Sequence, residues 1–537
     1  MDVSASSLNS THTVSVAQAL QLAAEQFQAG NRAEVEAWCL KVLEVEPENA
    51  EALHLLGVLA HLAGKHGVAL ALLEKAARMA PDHPHAHYNL GVVLGTLRRH
   101  EAALAAYQRA IAAAPEHPHA CGNLGNAALE LERYDDALAA YDAHLARQPA
   151  DANVALARAI TLHAMHRYAE ATAAFQRAVT LAPGEPRARW EFSQHLLMMG
   201  DFARGWEQYE ARFATRDAHV WSYPYPFPRW QGEPLAGKTL LLHGEQGLGD
   251  EIMWAQVYPE LIAEAAQVLI HCQPHLVPLF RDSFPGARVE PQLRADEDAW
   301  TRRPADWPAG TPPVDYQIPF ASLGRLRRRA VADFPAASAT ISGYLRADAA
   351  KTAAWGEQLG PLAGLRVGLC WAANPAITDA VAARRSRKKS LTLQQLAPLL
   401  AADAGFVSLQ TWEAAAQVNA ASAATRARIL DASAGLGDFS DTAALVMNLD
   451  LVITVDTSVA HLAGALGKPV WILLPWHADW RWHAEGTKTE WYPQARLYRQ
   501  SAPGDWAGVV AQAGADLAAL ARQHTPHQTK MQTETVA

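Results

Sequence analysis

The chain is poor in cysteine, in long apolar runs and in net positive charge. Its 537 residues include four cysteines, Cys39, Cys121, Cys272 and Cys370, widely separated and without a CxxC pair. That spacing argues against a disulfide framework or a thiolate zinc site and predicts reduced, buried thiols in a cytoplasmic protein. No uncharged apolar run reaches about 18 residues, so no membrane span is expected. The opening MDVSASSLNSTHTVSVAQAL has no basic stretch leading into an apolar one, so a secretory signal is not expected either. With 46 Lys+Arg against 55 Asp+Glu, the formal net charge is -9. General nucleic-acid binding is not expected of such a molecule. What remains is a chain that is 50% hydrophobic and 19% charged, a globular composition long enough for roughly three or four domains.

The first feature present is an internal repeat. Pro47, Pro81, Pro115, Pro149 and Pro183 recur every 34 residues. In phase with them run Leu56-Gly57, Leu90-Gly91 and Leu124-Gly125, the small residues Ala69, Ala103, Ala137 and Ala171, and the bulky Leu73, Tyr107, Tyr141 and Phe175. The pattern resembles the tetratricopeptide repeat. Small residues let two antiparallel helices approach, the bulky side chain fills the gap, and proline ends the second helix. Five units fit, with Ala23, Val35 and Ala159 at degenerate positions, and a sixth, divergent unit contains Gly205 and Tyr209. The array is expected over 16–215 as a helical superhelix whose concave face takes a protein partner. Asn89, Asn123 and Asn126 lie on first helices, where they either face a bound peptide or are simply solvated. His83, His85, His87, His117 and His119 gather at repeat junctions, as exposed turn residues or as metal ligands; no metal is expected.

After a Pro/aromatic linker, 216–236, the pattern changes to alternating strands and helices. Lys238–His243 reads as a strand, GEQGLGD as a glycine-rich turn without the GxGxxG fingerprint, and Asp250–Leu261 as a helix. Glu245 and Asp250 are expected at the mouth of that turn, where Asp250 acts as a general base or as the helix N-cap. Further strands are expected at Gln267–Cys272, near Arg288–Pro291, at Arg366–Trp371 and at Phe406–Gln410. Asp296–Asp298 offers a superficial DxD in a polar loop. RRSRKKS, Arg384–Ser390, is a phosphate clamp, a solvated loop or a nucleic-acid patch. Leu449–Pro475 reads as a βαβ unit: strand Leu451–Val455, turn Asp456-Thr457-Ser458, helix Val459–Leu466, strand Val470–Leu474. Such a turn lies at the ligand-binding edge of a parallel sheet, and its hydroxyls, free amides and His461 suit a phosphate. Trp476, Trp480 and Trp482 either stack on a ligand or belong to the core. An amphipathic helix spans Asp505–Gln523, and 524–537 is expected to be disordered.

GEQGLGDEI, RVGLCWAANP, the basic-Ser segment and DFSDTAAL…LDLVITVDTSVAHLAGALGKPVW together resemble glycosyltransferase family 9. This is the ADP-heptose:lipopolysaccharide heptosyltransferase family, here in its bacterial subgroup fused to tetratricopeptide repeats. The resemblance implies α plus α/β architecture: the repeat superhelix, then a GT-B fold of two Rossmann-like halves. Residues 237–345 would form the acceptor side and 362–523 the nucleotide-sugar side. It implies an inverting, metal-independent transfer from a nucleotide sugar, with no cofactor. Asp250, after Gly247 and Gly249, matches the family's base. Lys388 or Lys389 matches its phosphate-binding residue, and Asp456, Thr457, Ser458 and His461 match its diphosphate turn. Ser458 stands where the family commonly has glycine. By analogy with repeat-bearing O-GlcNAc transferases the acceptor would be a protein, flagellin or another surface protein among the options. The alternatives are a catalytically silent repeat scaffold and a lipopolysaccharide-core transferase; homodimerisation through the repeats stays open.

Overall fold

The structure is a computed structural model describing residues 2–7, 10–215, 218, 220, 223, 225–292, 313–335, 343–362, 364–374 and 380–534. The polar loop with Asp296–Asp298 and most of the turn 372–379 lie outside the described residues. The chain divides into two compact units, Met1–Ala188 and Arg189–Ala537.

The first unit opens with a hairpin, β1 (Asp2–Ser7) antiparallel to β2 (Ser10–Ser15). Five helix pairs follow: α1 (Val16–Ala29) with α2 (Arg32–Val45), α3 (Ala50–Leu62) with α4 (His66–Met79), α5 (Pro84–Thr96) with α6 (His100–Ala113), α7 (Ala120–Glu130) with α8 (Tyr134–Arg147), and α9 (Ala152–Ala164) with α10 (Tyr168–Leu181). Each phased proline stands just past the second helix of its pair, where a missing N–H and a fixed φ block further helix. The glycine rule holds at atomic scale. A β-carbon on Gly57 would lie 2.6 Å from Leu73 Cγ, one on Gly91 2.5 Å from Tyr107, and one on Gly125 2.4 Å from Tyr141. The bulky residue therefore sits directly on the small one.

The second unit begins with α11 (Pro186–Met198), nearly all of which it contains, and α12 (Phe202–Tyr209). The division thus falls ahead of the 216–236 linker, and the divergent sixth pair packs into the α/β unit. Trp206 is buried against Trp254 and Trp480, with ring centroids 5.3 Å away in both contacts, and its Nε1 donates to the Arg328 carbonyl at 2.6 Å. Arg212 is wholly buried and donates to both oxygens of the equally buried Glu245, at 3.0 and 2.9 Å.

Two parallel sheets follow. The first is β3 (Thr239–His243), β4 (Gln267–Cys272), β5 (Ala287–Pro291) and β6 (Tyr316–Pro319), ordered β5-β4-β3-β6. The described end of the linker runs beside it, Arg229 bridging to Gln317. The second contains β7 (Leu365–Cys370), β8 (Ala404–Ser408), β9 (Ile429–Asp431), β10 (Leu451–Val455), β11 (Val470–Leu474) and β12 (Ala495–Arg499). Its order, β12-β11-β10-β7-β8-β9, is that of a doubly wound sheet. β7, β10 and β11 are buried on nearly every residue, which explains their unbroken apolar runs. All four cysteines are free and buried.

Two expectations change. Of the alternatives for the basic segment, the solvated loop does not hold over Ala380–Lys388, which is helical and anchored by buried Ser386, whose hydroxyl donates to the Asn374 carbonyl at 3.1 Å. The final helix runs Trp506–Glu534, past the Gln523 boundary and into the tail expected to be disordered. Once a helix is nucleated, each added residue gains a backbone hydrogen bond, and Gln, Lys, Met and Glu tolerate it well.

Candidate functional site

The two sheets bring two turns together at their carboxyl edges. After β3 the chain turns through Gly244–Gly247 into α13 (Leu248–Trp254), with Gly247 at the N-cap. Asp250 is the third helical residue rather than the cap, and its Oδ2 accepts the Gly247 N–H at 3.0 Å. After β10, Asp456 and Thr457 lead into the helix Ser458–Ala465. Gly249 and Gly247 thus shape the entry of α13, and Gly249 lets α13 close on the second helix.

Asp250, Gly249, Lys389, Asp456, Thr457, Ser458, His461, Asp479 and Arg481 line one polar cavity of about 200 Å³. Lys389 is half-buried and its Nζ donates to Asp456 Oδ2 at 3.2 Å, whereas Lys388 is exposed. Geometry therefore selects Lys389 as the ammonium of the cavity. Burial, the largest single influence, pushes the Asp456 carboxyl up, but Lys389, His461, a Trp482 hydrogen bond and Arg481 together outweigh it and hold the group below its ordinary range. Thr457 occupies the N-cap without capping: its hydroxyl pairs with Thr454 Oγ1 at 3.1 Å, so the first-turn amides of the following helix keep no side-chain partner from it. Ser458 opens that helix on the cavity wall. His461 bonds through Nδ1 to the Tyr492 hydroxyl at 2.8 Å and stacks on Trp482. Burial lowers its pKa to about 3, so the ring is neutral.

Arg481 was not singled out by any motif. It is nine-tenths buried, pairs with Asp250 through Nη2, and donates from Nη1 to Asp479 at 2.6 Å. Burial raises the Asp250 carboxyl, and Arg481 opposes that rise. The Arg481–Asp250 contact links positions 231 residues apart in sequence, so only the WHADWRW turn's mixture of charge and aromatics hinted at it.

Several expected positions take other roles. Glu245 does not stand at the mouth: it is enclosed by Arg212 and the Ala321 N–H at 2.9 Å. Trp480 and Trp482 are core, since both are essentially inaccessible. In the repeat unit, Asn89 Nδ2 meets His54 Nε2 at 2.8 Å and Asn123 Nδ2 donates to Tyr88 at 3.0 Å, both tying adjacent repeats. Asn126 accepts from the Tyr141 hydroxyl at 2.8 Å. Glu51, His54 and His83 bring three potential metal-ligand atoms within 4.8 Å of one another. His83 Nδ1, however, accepts the Ala86 N–H at 3.1 Å, which places a neutral ring's proton on Nε2, facing Glu51 at 2.6 Å. That arrangement is a hydrogen bond rather than a vacant ligand pair.

Among the described residues no helix is long and apolar enough to cross a membrane. Comparison with known proteins gives one curated relative, protein FlbA of Caulobacter vibrioides, 30% identical over 361 residues. The aligned region covers 64% of this chain and 58% of FlbA, so the chain spans a little over half the length of that relative. Among solved structures, YrrB, a TPR protein with an unusual peptide-binding site, is 22% identical, covering 32% of this chain and 88% of its own, with a TM-score of 0.30. MamA of Desulfovibrio magneticus is 21% identical, covering 32% and 94%, with a TM-score of 0.28. The tetratricopeptide repeat family matches residues 20–82, 62–118 and 123–213. The N-terminal part of the chain is a tetratricopeptide-repeat array, followed by an α/β region built on two parallel sheets.

Proposed function

We propose that the second unit is a GT-B glycosyltransferase of the family 9 kind, transferring a sugar with inversion from a nucleotide-sugar donor to a protein that the repeats recruit. One observation supports it above the others: a carboxylate from the first sheet, Asp250, shares a cavity with an ammonium and a helix start from the second, Lys389 and Ser458. In this reading the donor's diphosphate lies against Lys389 and the amides opening Ser458–Ala465. Asp250 takes the acceptor hydroxyl's proton while the acceptor oxygen bonds to the anomeric carbon. The carbon–oxygen bond to the diphosphate breaks, and its electron pair leaves on the phosphate oxygen. Protein cations and helix amides carry the leaving-group charge, so transfer should persist with chelator present.

The competing reading, a silent scaffold, draws on the repeats, which suit a protein partner. Calorimetric titration of the full chain with ADP, UDP and GDP separates the two. The transferase reading expects saturable binding of at least one nucleotide, and transfer lost in Asp250→Ala with that binding retained. No binding by any of the three would leave the scaffold.

A further inference from the structure

Among the described residues, both cations lining the cavity are already paired with protein carboxylates. Lys389 is on Asp456, and Arg481 spans Asp250 and Asp479. With three carboxylates against two cations, and His461 neutral, the described lining carries one net negative charge. An incoming dianion cannot simply add to this arrangement; it has to take a cation from a carboxylate. Arg481 is the better placed of the two to change partners. Its Nε is buried without a hydrogen-bond partner, so one guanidinium N–H lacks an acceptor beside two that have one. A structural pin between Asp250 and Asp479 accounts for the two ion pairs. It leaves the buried Nε–H unexplained, a cost that an incoming oxygen would relieve.

We infer that Arg481 is a diphosphate-responsive latch on Asp250. Among the chain's own groups its guanidinium pairs with Asp250 and Asp479; a diphosphate, a bidentate partner of higher charge, draws it from Asp250. The inference rests on the glycosyl-transfer reading and adds an order to it. Donor binding releases the carboxylate that must accept the acceptor's proton, and acceptor arriving first finds that carboxylate occupied. When the sugar–diphosphate bond breaks, Arg481 and Lys389 hold the departing diphosphate. As product leaves, Arg481 returns to Asp250.

The release leaves a proton signature. An Asp250 stripped of its cation keeps Asp479 and Asp456 as charged neighbours, with Lys389 turned to the phosphate and His461 and Tyr209 neutral. Tyr492, whose hydroxyl burial holds protonated, also faces it and adds no positive charge. Asp250 therefore binds protons more readily. The test is calorimetry of the full chain with inorganic pyrophosphate at pH 5.5, in two buffers of different ionisation enthalpy, alongside the nucleotide titrations. Wild type should bind pyrophosphate with net proton uptake, and Asp250→Asn should bind it with that uptake largely gone. Arg481→Met should weaken binding about tenfold or more, the loss expected for a charge-assisted contact. Arg481→Lys, which keeps the charge and guards against a folding defect in the methionine variant, should bind severalfold more weakly than wild type and show less uptake. Wild-type affinity in both Arg481 variants would overturn the latch and leave the transferase reading intact, as would wild-type uptake unchanged by Asp250→Asn. Absence of binding by wild type to pyrophosphate and to all three nucleotides would remove both.

Discussion

Gly249 lies directly against His461: a β-carbon on the glycine would stand 2.8 Å from His461 Cδ2 and 3.4 Å from Ser458 Cα. The two helices that open the cavity, one following β3 of the first sheet and one following β10 of the second, touch through this missing side chain. His461 has little room to yield, because Trp482 stacks on one face of its ring and Tyr492 holds its Nδ1. Gly249→Ala should therefore part the helices and cost about 1–3 kcal/mol, the usual range for overpacking. Urea unfolding should show a lower midpoint with an unchanged slope, and nucleotide affinity should fall with it. An unchanged midpoint would mean that the interface is looser than its geometry.

The basic segment yields a sharper discrimination. Lys389 touches Asp456 inside the cavity, while the adjacent Lys388 is exposed. Lys389→Met should weaken nucleotide diphosphate binding about tenfold or more. Lys388→Met should leave it within about twofold, since an exposed cation outside the cavity lining is largely screened. Equal losses in the two variants would indicate a diffuse basic patch in place of one positioned ammonium.

Sequence could not choose between those lysines because the choice depends on where a helix ends: Lys388 is its last residue and Lys389 lies in the turn beyond it. The segment reads as a phosphate clamp, a solvated loop or a nucleic-acid patch, and its charges do not announce the helix Ala380–Lys388, in which Ser386 turns inward to Asn374. The repeat register and the strands Leu451–Val455 and Val470–Leu474 were legible for the opposite reason. Their signals are local: a glycine opposite a tyrosine 16 residues later, or a run that must be apolar because both faces are buried. Arg481 on Asp250 and Arg212 on Glu245 are long-range ion pairs, and no spacing announces them. The same limit misplaced Glu245: a carboxylate in a glycine-rich turn reads as solvent-facing until the arginine that encloses it is known.

That enclosed pair makes its own prediction. Arg212 and Glu245 are both fully buried, and Arg212 also bonds Ser322 at 2.7 Å. Arg212→Met leaves an uncompensated carboxylate and should cost about 3–5 kcal/mol. Adding Glu245→Gln should recover part of the loss, because the buried charge goes with it. Chemical denaturation of the two single variants and the double variant gives the coupling directly. A double variant no better than the sum of the singles would show that the two groups do not act as a pair.

Acid should weaken the second unit through its buried histidines. Burial lowers His195 and His243 to about 4 and His461 to about 3, against an unfolded value near 6.5. Between those limits the unfolded chain holds more protons than the folded one, so stability rises with pH there. The contribution is fully present above roughly pH 6.5 and is lost as pH falls towards the folded values. At pH 5 each ring costs about 2 kcal/mol at most. Unfolding midpoints compared at pH 7.5 and pH 5 should show the decline, and His243→Gln should flatten it. A stability that stays level over this window would contradict the buried, neutral assignment.

In the repeat array the test is a paired change. A β-carbon on Gly125 would fall 2.4 Å from the Tyr141 ring, whose hydroxyl is also tied to Asn126. Tyr141 is completely buried, so the ring cannot swing into solvent. Gly125→Ala alone should cost about 1–3 kcal/mol through overpacking. Tyr141→Leu alone should also destabilise, by removing ring area and leaving Asn126 without its donor. Combined, the smaller side chain gives the new methyl space, so the double variant should be more stable than the two losses added together. Circular dichroism melts of the four proteins decide it: strict additivity would mean that the glycine is not there to seat the tyrosine.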